Sequence, residues 1–222
     1  MKRKLYIFGT QTFAELSHFY FHGDSDYEVA GFTVDAEYMK ESIFLGLPVI
    51  PYEELRVRVA PAEADIFIAI GISKINQLRA KKFFQVQQDG YRLASFLSTR
   101  AHVSQDLLVQ PNTMIMDHVA MHPQVQIGFD TIIWSNTRVA LKAVIGNHVW
   151  VTAAVIGEKA TIGDYTFIGI NATIAPLVHV GSRNLIGAAA AILRDTQDNQ
   201  IYRGPRCKPS PVSTLKALDL IR

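Results

Sequence analysis

The sequence predicts an N-terminal α/β domain with a small parallel sheet, followed by a parallel β-helix of six-residue repeats. Three observations lead to this fold class. Apolar runs alternate with helix-like segments over the first hundred residues, an aliphatic residue or Met then recurs every six positions, and a small residue follows each of these at a fixed distance. We expect the α/β domain at 1–100, the β-helix at 101–200, and a tail with a short helix at 201–222.

The composition is that of an ordinary globular protein. The chain has 222 residues, 49% of them hydrophobic, which is enough for two small domains with cores. The formal net charge of +2 gives no reason to expect a nucleic-acid or membrane-surface partner. The single cysteine, Cys207, is typical of a reducing compartment. The apolar run after the basic start is too short for a signal peptide, and polar residues follow it with no small-residue cleavage site. No apolar stretch is long enough to span a membrane, so we predict a cytoplasmic protein.

Four apolar runs define the α/β domain. The runs 4–9, 28–35, 64–71 and 91–98 predict buried strands, and helix-like segments follow the first and the third. Strands that alternate with helices predict a parallel sheet.

Three residues that follow or end the first two strands are candidate ligand contacts. Gly9 and Thr10 occupy the turn from the first strand to a helix, where phosphate-binding turns occur, although GTQT lacks the further glycines of a dinucleotide fingerprint. Asp35 ends the second strand, where a carboxylate can accept a hydrogen bond from a ribose or a base. A plain strand-to-helix connection and a turn residue are the alternative interpretations.

The six-residue repeat runs from Val109 to Ile192. Fifteen positions carry an aliphatic residue or Met, with one five-residue step between Val151 and Ile156. The residue four places later is Ser, Thr, Ala or Val at fourteen of the fifteen, with Asn184 the exception. A helix would repeat every three or four positions and a strand every two, so the period predicts a β-helix with one short strand and one corner per repeat. We expect the glycines after the repeat residues to relieve the turns, and the short step to mark an irregular coil near a site.

Three late segments resemble one known family. The stretches IGDYTFIGINATI (162–174), NLIGAAAAILRDT (184–196) and YRGP (202–205) resemble the last coils and tail of bacterial sugar acyltransferases of the sialic-acid O-acetyltransferase and bacillosamine N-acetyltransferase type. The resemblance covers nearly the whole chain. It implies a left-handed β-helix and a homotrimer, with acetyl-coenzyme A or another acyl-coenzyme A bound between neighbouring β-helices. It also implies a nucleotide-linked amino sugar on the α/β domain, no metal, and a product for surface polysaccharide such as the O-antigen of lipopolysaccharide.

The resemblance also shows where this chain departs from the family. In that family a histidine base with an acidic partner helps the sugar amine or hydroxyl to attack the thioester. The coil 134–146 matches the base-carrying coil, and the histidine position is Leu141, with Lys142 at the partner position. Two candidate bases remain: Lys142, if burial lowers its pKa, and His122, which lies about one coil earlier. A solvent-facing lysine and a surface histidine are the alternatives.

The other histidines of the repeat region have no assigned chemistry. His118 precedes Asn136 by eighteen residues and is expected beside it. We expect His148 and His179 on the coil surface without a partner, and His102 in a structural role. No group of His, Cys, Asp or Glu has the spacing of a metal site.

The donor side of the family motif is better preserved. We assign acyl-coenzyme A contacts to Trp150, Gly169, Ile170, Gly187, Ala188, Arg203 and Lys208, and nucleotide-sugar contacts to Gly9, Thr10, Asp35 and Lys74. There are two alternative interpretations. The small residues are present only because the corners need them, and the late basic residues form a solvated tail. The aromatic rings of Trp134 and Trp150 would narrow the donor groove or fill the trimer interface.

These residues support three functional hypotheses. The first is an acyl-coenzyme A-dependent N-acyltransferase acting on a nucleotide-linked amino sugar. The second is a non-catalytic family member that binds a nucleotide sugar or a partner enzyme, which the leucine at Leu141 favours. The third is a sugar O-acetyltransferase with His122 as its base. An amine needs less help from a base than an alcohol does, so the first hypothesis is preferred.

Overall fold

The computed structural model describes residues 2–214 and residue 216. The helix predicted within STLKALDLI (213–221) lies almost entirely outside these residues. In the described part of the chain, no helix is both long and apolar enough to cross a membrane.

A five-stranded sheet with three helices forms the N-terminal part. Its elements are β1 (Arg3–Phe8), α1 (Thr12–Gly23), β2 (Tyr27–Val34), a 3-10 turn (Ala36–Tyr38), β3 (Ile43–Phe44), β4 (Leu47–Pro51), α2 (Tyr52–Arg58), β5 (Ala64–Ile68) and α3 (Gln77–Gln88). The strand order is β3-β4-β2-β1-β5, and only the β3–β4 pair is antiparallel. The chain runs outward from β1 through β2 and β4 and then returns to the other side of β1. This reversal opens a crevice at the carboxyl ends of β1 and β5.

The predicted fourth strand does not form as one element. Leu93 makes a single parallel bridge to Ile66 of β5, whereas the following pair, Phe96–Leu97, joins a different sheet. The sequence interpretation also missed β3, β4 and α2. The two strands are short, and prolines at both Pro48 and Pro51 obscure the pattern of β4.

From Phe96 onwards every strand is two residues long. The strands are β6 (Phe96–Leu97), β7 (Met114–Ile115), β8 (Ala120–Met121), β9 (Gln126–Ile127), β10 (Ile132–Ile133), β11 (Arg138–Val139), β12 (Val144–Ile145), β13 (Trp150–Val151), β14 (Val155–Ile156), β15 (Thr161–Ile162), β16 (Phe167–Ile168), β17 (Thr173–Ile174), β18 (His179–Val180), β19 (Leu185–Ile186), β20 (Ala191–Ile192) and β21 (Ile201–Tyr202). They stack in three parallel sheets. The first sheet contains β6, β7, β10, β13, β16, β19 and β21, the second β8, β11, β14, β17 and β20, and the third β9, β12, β15 and β18. Three sheets wound around one core form a β-helix, which confirms the interpretation of the period.

The repeat residues point into this core. From Ile115 to Ile192 all of them are buried, and Val109 packs against them at the first coil. Asn184, the one exception among the small residues four places after the repeat residues, is also buried. Its Nδ2 donates to Oγ1 of Thr196 at 2.7 Å, and its Oδ1 accepts a hydrogen bond from the N–H of Gln200 at 2.6 Å. Hydrogen bonds therefore replace apolar contacts inside the last coil.

Each corner turns on a residue with left-handed backbone. At thirteen corners the residue three places after the repeat residue has a φ between 54° and 65°. We call residues 112, 130, 148, 165 and 183 the first corner, residues 118, 136, 153, 171 and 189 the second, and residues 124, 142, 159 and 177 the third. The first sheet lies between the first and second corners, so the third corner is on the opposite side of the β-helix.

The glycines that follow the repeat residues do not relieve the turns, contrary to the prediction. None of them has a positive φ. They permit neighbouring coils to approach instead: a Cβ on Gly163 would lie 2.6 Å from the backbone nitrogen of Ser182 in the next coil. The left-handed residues perform the turning.

We expect the Gly163→Ala variant to be less stable than the native protein by about 1–3 kcal/mol, because the methyl group overlaps the backbone of the next coil. Urea denaturation measures the difference. Gly23→Ala is the control, because a Cβ at Gly23 meets nothing within 4 Å, and it should be neutral or slightly stabilising. Equal stabilities for the two variants would contradict the close-approach explanation.

The α/β part packs on the outer face of the first sheet. The ring of Phe13 in α1 lies 4.8 Å from the ring of Trp150 and 6.4 Å from that of Trp134, measured between centroids. Outward-facing Met114 and Ile132 are fully buried in the same cluster. Helix α3 contacts the β-helix along the first corner, and α1 contacts it along the second corner. The crevice of the α/β sheet is therefore held beside the coils of the β-helix.

Candidate functional site

A buried polar cluster joins α3 to the first corner. Arg79 is fully buried, and its Nε lies 3.1 Å from Oδ1 of Asp130. Its Nη2 donates to the carbonyl oxygens of Asp130 at 3.0 Å and of His148 at 3.1 Å. Asp130 also accepts from Nδ2 of Asn112 at 2.6 Å and lies 2.6 Å from Nδ1 of His148. Burial lowers the pKa of Arg79 and the Asp130 charge opposes that shift, so the pair is stable only as a complete network.

His148 is not on the coil surface, and that prediction was wrong. Only 2% of the residue is exposed, and its ring stacks on Tyr165 at 4.7 Å and meets the edge of Phe129 at 5.0 Å. The left-handed corner directs the imidazole toward Asp130, eighteen residues earlier. The sequence could have predicted this contact, because Asp130 and His148 are eighteen residues apart and therefore occupy the same corner in adjacent coils.

A second polar cluster joins α1 to the second corner. The hydroxyl of Tyr20 donates to Oδ1 of Asp117 at 2.6 Å, and the Ser135 hydroxyl donates to the same oxygen. Arg100 and His118 approach Oδ2 at 3.2 Å and 3.8 Å. Burial alone would raise the pKa of Asp117, but the bonds from Ser135 and Tyr20 and the Arg100 charge hold it below its usual range. Burial and the Asp117 contact raise the pKa of Tyr20, which stays a donor.

The low pKa of Asp117 predicts a loss of stability in acid. Its stabilising effect is complete above the unfolded pKa of about 3.9 and disappears as the pH falls through the lower folded value. We therefore expect Asp117→Asn to be less stable than the native protein near neutral pH, and the gap between the two to narrow below about pH 4. Urea denaturation at a series of pH values measures both curves. Parallel curves would contradict the assigned role of Asp117.

Gly9 lies where the crevice requires a residue without a side chain. Its φ is 134°, and a Cβ would lie 2.8 Å from the carbonyl oxygen of Ala69. Its N–H donates to the carbonyl oxygen of Thr33 at 2.8 Å, which ties the ends of β1 and β2 together. Thr10 follows it and is half-buried. The structure thus places these two predicted residues at the mouth of the crevice.

Asp35 lies beside a pocket of about 480 Å³ at the carboxyl ends of β2 and β4. Its Oδ1 is 2.6 Å from Nζ of Lys82 in α3, and Lys82 also donates to Oε1 of Gln85 at 2.8 Å. The Asp35 carboxylate is already paired, so it is less free to accept from a ribose than the sequence suggested. The lysine beside it was not among the predicted contacts.

A larger pocket, of about 580 Å³, lies at the amino ends of β1 and β2, beside Arg3, Tyr27 and Arg92. Both arginines are paired with the buried Asp65, at 2.6 Å and 2.9 Å. Ligands of open α/β sheets bind outside the carboxyl ends of the strands. The smaller pocket and the crevice at Gly9 therefore fit a nucleotide better.

Four of the seven predicted donor contacts, Gly169, Ile170, Gly187 and Ala188, lie together at the second corner. The N–H of Ala189 donates to the carbonyl oxygen of Ile170 at 2.8 Å, and a Cβ on Gly169 would lie 2.8 Å from the nitrogen of Ala188. Half of Ile170 is exposed, as is Ala188. The N–H of Gly187 donates to the carbonyl oxygen of Tyr202, so the next residue, Arg203, lies beside Gly187 and Ala188 in the adjacent coil. Lys208 lies in the exposed segment 205–210, outside this corner.

Trp150 does not face an open donor groove or a trimer interface, so its assignment was wrong. It is 6% exposed and packs between Phe13 and the Arg79 guanidinium, whose Cζ is 5.4 Å from the ring. The α/β part covers the sheet face from which Trp150 projects. Trp134 lies half-buried beside it, and its buried Nε1 has no hydrogen-bond partner among the residues that the structure describes.

The candidate bases lie on the third corner. The N–H of His122 donates to the carbonyl oxygen of Val139 at 3.0 Å, and that of Lys142 to Pro123 at 3.3 Å, so the two residues are on adjacent coils. Both side chains are exposed, and Leu141 is half-buried. This corner is opposite the face that carries the α/β part. Within one chain, the candidate bases and the crevice are therefore on different sides of the β-helix.

Two further predicted positions can be located. His118 shares the second corner with Asn136, as the spacing predicted, and the five-residue step turns at Ala153 on that corner, beside the donor column. Within the described residues there is no group of three or more His, Cys, Asp or Glu that could hold a metal ion.

Solved structures show the same fold, although no model of a known protein family matches the chain. A variant of GDP-perosamine N-acetyl transferase from Caulobacter crescentus, in complex with CoA and GDP-perosamine, matches with a TM-score of 0.80 and 22% identity over 90% of this chain and 93% of that chain. The acetyltransferase domain of PglB from Neisseria gonorrhoeae matches with a TM-score of 0.77 and 21% identity, over 94% and 100%. WeeI from Acinetobacter baumannii matches with a TM-score of 0.65 and 17% identity, over 91% and 89%.

The chain has the fold of these proteins. The likeness extends over both the α/β part and the β-helix, because it covers at least 90% of the chain in each case.

Proposed function

We propose that the chain is an acyl-coenzyme A-dependent N-acyltransferase that acts on a nucleotide-linked amino sugar for surface polysaccharide. The second corner carries the proposal. Gly169, Ile170, Gly187 and Ala188 form a column of small and apolar residues there, in which Ile170 and Ala188 are exposed, Gly187 is half-buried and Gly169 is buried. The same chain has a crevice at the carboxyl ends of β1 and β5, where open α/β sheets bind nucleotides, and it shares its fold with an acetyltransferase solved with CoA and GDP-perosamine.

The proposed reaction is a direct transfer. The free amine of the sugar attacks the thioester carbonyl carbon, the C–N bond forms, and the C–S bond breaks. Coenzyme A leaves as a thiol and takes up, through the base or water, the proton that the amine loses. Holding the amine and the thioester in line supplies up to ~7–11 kcal/mol of the barrier reduction, so an amine acceptor depends less on a base.

The predicted residues have separate roles in this scheme. The small residues of the second corner allow the pantetheine arm to lie against the backbone, and Arg203 and Lys208 pair with coenzyme A phosphates. Gly9, Thr10 and Lys74 hold the nucleotide in the domain at 1–100. Asp35 supports this site through Lys82.

The position of the third corner supports a homotrimer. Lys142 and His122 are remote from the crevice of their own chain, so only a neighbouring copy can bring a third corner to it. We propose a left-handed β-helix that packs in this way, with sites between copies.

Two alternatives remain, each favoured by one observation. The leucine at Leu141, together with Lys142 in the acidic partner's place, favours a non-catalytic protein that binds a nucleotide sugar or a partner enzyme. The exposed His122 favours a sugar O-acetyltransferase with that residue as base.

The test is an acetyl-transfer assay with the full chain, acetyl-coenzyme A and GDP-perosamine or a UDP-linked amino sugar. Mass spectrometry detects the acetylated sugar, and a thiol reagent detects coenzyme A. The proposal predicts acetylation of an amino sugar, and no thiol release with GDP-mannose, which has no amine. Binding without transfer would favour the non-catalytic alternative, and acetylation of a hydroxyl would favour the O-acetyltransferase.

A further inference from the structure

The loop between β5 and α3 contains a left-handed turn. Lys74, Ile75 and Asn76 have successive φ values of 51°, 49° and 65°. The N–H of Asn76 donates to the carbonyl oxygen of Ile72 at 3.2 Å, so segment 72–76 closes one left-handed turn. L-residues other than Gly, Asn and Asp adopt this backbone at a cost, and a β-branched residue such as Ile75 is a marked outlier. Contacts elsewhere must hold the turn in place.

Asn76 provides those contacts. Its side chain is fully buried, and its Nδ2 donates to the carbonyl oxygens of Tyr165 at 3.3 Å and Thr166 at 3.4 Å in the β-helix. Its Oδ1 accepts from Nη1 of Arg79 at 3.1 Å. The turn is therefore fastened to the first corner, one coil beyond His148.

The strained turn presents an exposed cation. Ser73 and Lys74 are exposed at its tip, a few residues beyond the carboxyl end of β5, where Ala69 lies against Gly9. Lys82, the basic residue beside Asp35, is already paired with it. Within the described residues, Lys74 makes no ion pair, so its charge is available to a ligand. An ammonium group at this edge of a parallel sheet suits a phosphate.

We propose that Asn76 is a positioning residue, which fastens the left-handed turn to the β-helix so that Lys74 binds the diphosphate of the nucleotide sugar. The identity of the ligand rests on the proposed function. The turn sets the distance between the bound nucleotide and the coils, because the residue that closes it is bonded to the coil at Tyr165. An unfastened turn would leave Lys74 free to move away from the diphosphate.

The test is calorimetric titration of the full chain with GDP and with UDP, and with guanosine and uridine as probes without a diphosphate. We expect the native protein to bind one of the diphosphates more tightly than its nucleoside, and Lys74→Ala to weaken that binding about tenfold. Asn76→Gly keeps the backbone freedom but removes the anchor, and it should weaken binding similarly. In the double variant the two losses should not add, because both act through the same ammonium group.

Two more variants keep the test decisive. Ile75→Gly relieves the strain without removing the anchor, so it should preserve diphosphate affinity. If Asn76→Gly does not fold, Asn76→Asp retains the oxygen that faces Arg79 and replaces the donor to Tyr165 and Thr166 with a second oxygen. A purely structural Asn76 would lower the melting temperature, leave diphosphate affinity unchanged in the folded protein, and show losses that add.

The inference and the proposed function fail separately. Native protein that binds neither diphosphate, or Lys74→Ala with native affinity, overturns the inference, even if acetyl transfer is observed. Diphosphate binding that depends on Lys74 and Asn76, without transfer to any amino sugar, supports the inference and rejects the proposed function.

Discussion

The Arg79→Met variant is expected to lose about 3–5 kcal/mol of unfolding free energy, because it leaves the Asp130 carboxylate buried without its cation. Arg79 is fully buried, bonds to Asp130 and to two corner carbonyls, and lies over the ring of Trp150. Methionine fills much of the volume but supplies no charge. Urea denaturation followed by tryptophan fluorescence measures the loss, with Trp150 at the affected interface.

Arg58→Met is the matched control for this change. Arg58 pairs with Glu54 on the exposed face of α2, and exposed pairs contribute less than about 1 kcal/mol. A loss below about 1 kcal/mol for Arg79→Met would show that the cluster does not hold α3 to the β-helix. Adding Asp130→Asn should recover part of the loss, because it removes the unpaired charge.

The Leu141→His variant is expected to transfer acetyl groups about tenfold faster than the native protein, if the proposed function holds. A positioned general base contributes roughly 10²–10⁴-fold. Lys142 stands where the family resemblance places an acidic partner, so we expect only the lower part of that effect. The added rate should depend on a group that titrates near about pH 6.5, the ordinary pKa of histidine. Initial rates measured from pH 5 to 9 check this profile.

Leu141→Gln is the control for the polarity of the new side chain, since an amide does not titrate in this range. Leu141→His/Lys142→Asp restores both members of the implied pair and should be faster than the single variant. If Leu141→His is no faster than Leu141→Gln, the third corner does not supply the base.

The β-helix was predictable because each coil repeats one environment. The inward positions at Ile162, Ile168 and Ile174 need an aliphatic side chain for the same reason, so the period appears directly in the sequence. The alignment of Gly169 with Gly187 was predictable on the same basis, because the two residues occupy equivalent places one coil apart.

The corner backbone was harder to predict. The left-handed residues include Asp130, His148, Lys142 and Leu177, whose types vary because the stacking of coils imposes the backbone. A polar residue three places after most repeat residues was the weak signal. The role of the glycines was predicted wrongly because it depends on how closely the next coil approaches. The residues around each glycine in the sequence do not show that distance.

Packing of the two parts was not predictable from periodicity. Whether Trp150 faces solvent or Phe13 depends on which sheet the α/β part covers, and His148 is buried for the same reason. The turn at Lys74, Ile75 and Asn76 also escaped prediction, because its unusual backbone is set by distant bonds from Asn76 to the β-helix.

Calorimetric titration of the native protein with acetyl-coenzyme A tests the central claim most directly. ATP is the control, since it shares the adenine and phosphates but lacks the pantetheine arm and the thioester. We expect acetyl-coenzyme A to bind in the micromolar range and ATP to bind much more weakly. No detectable binding of acetyl-coenzyme A or of longer acyl-coenzyme A donors would contradict that claim, and would leave a β-helix that carries no acyl donor.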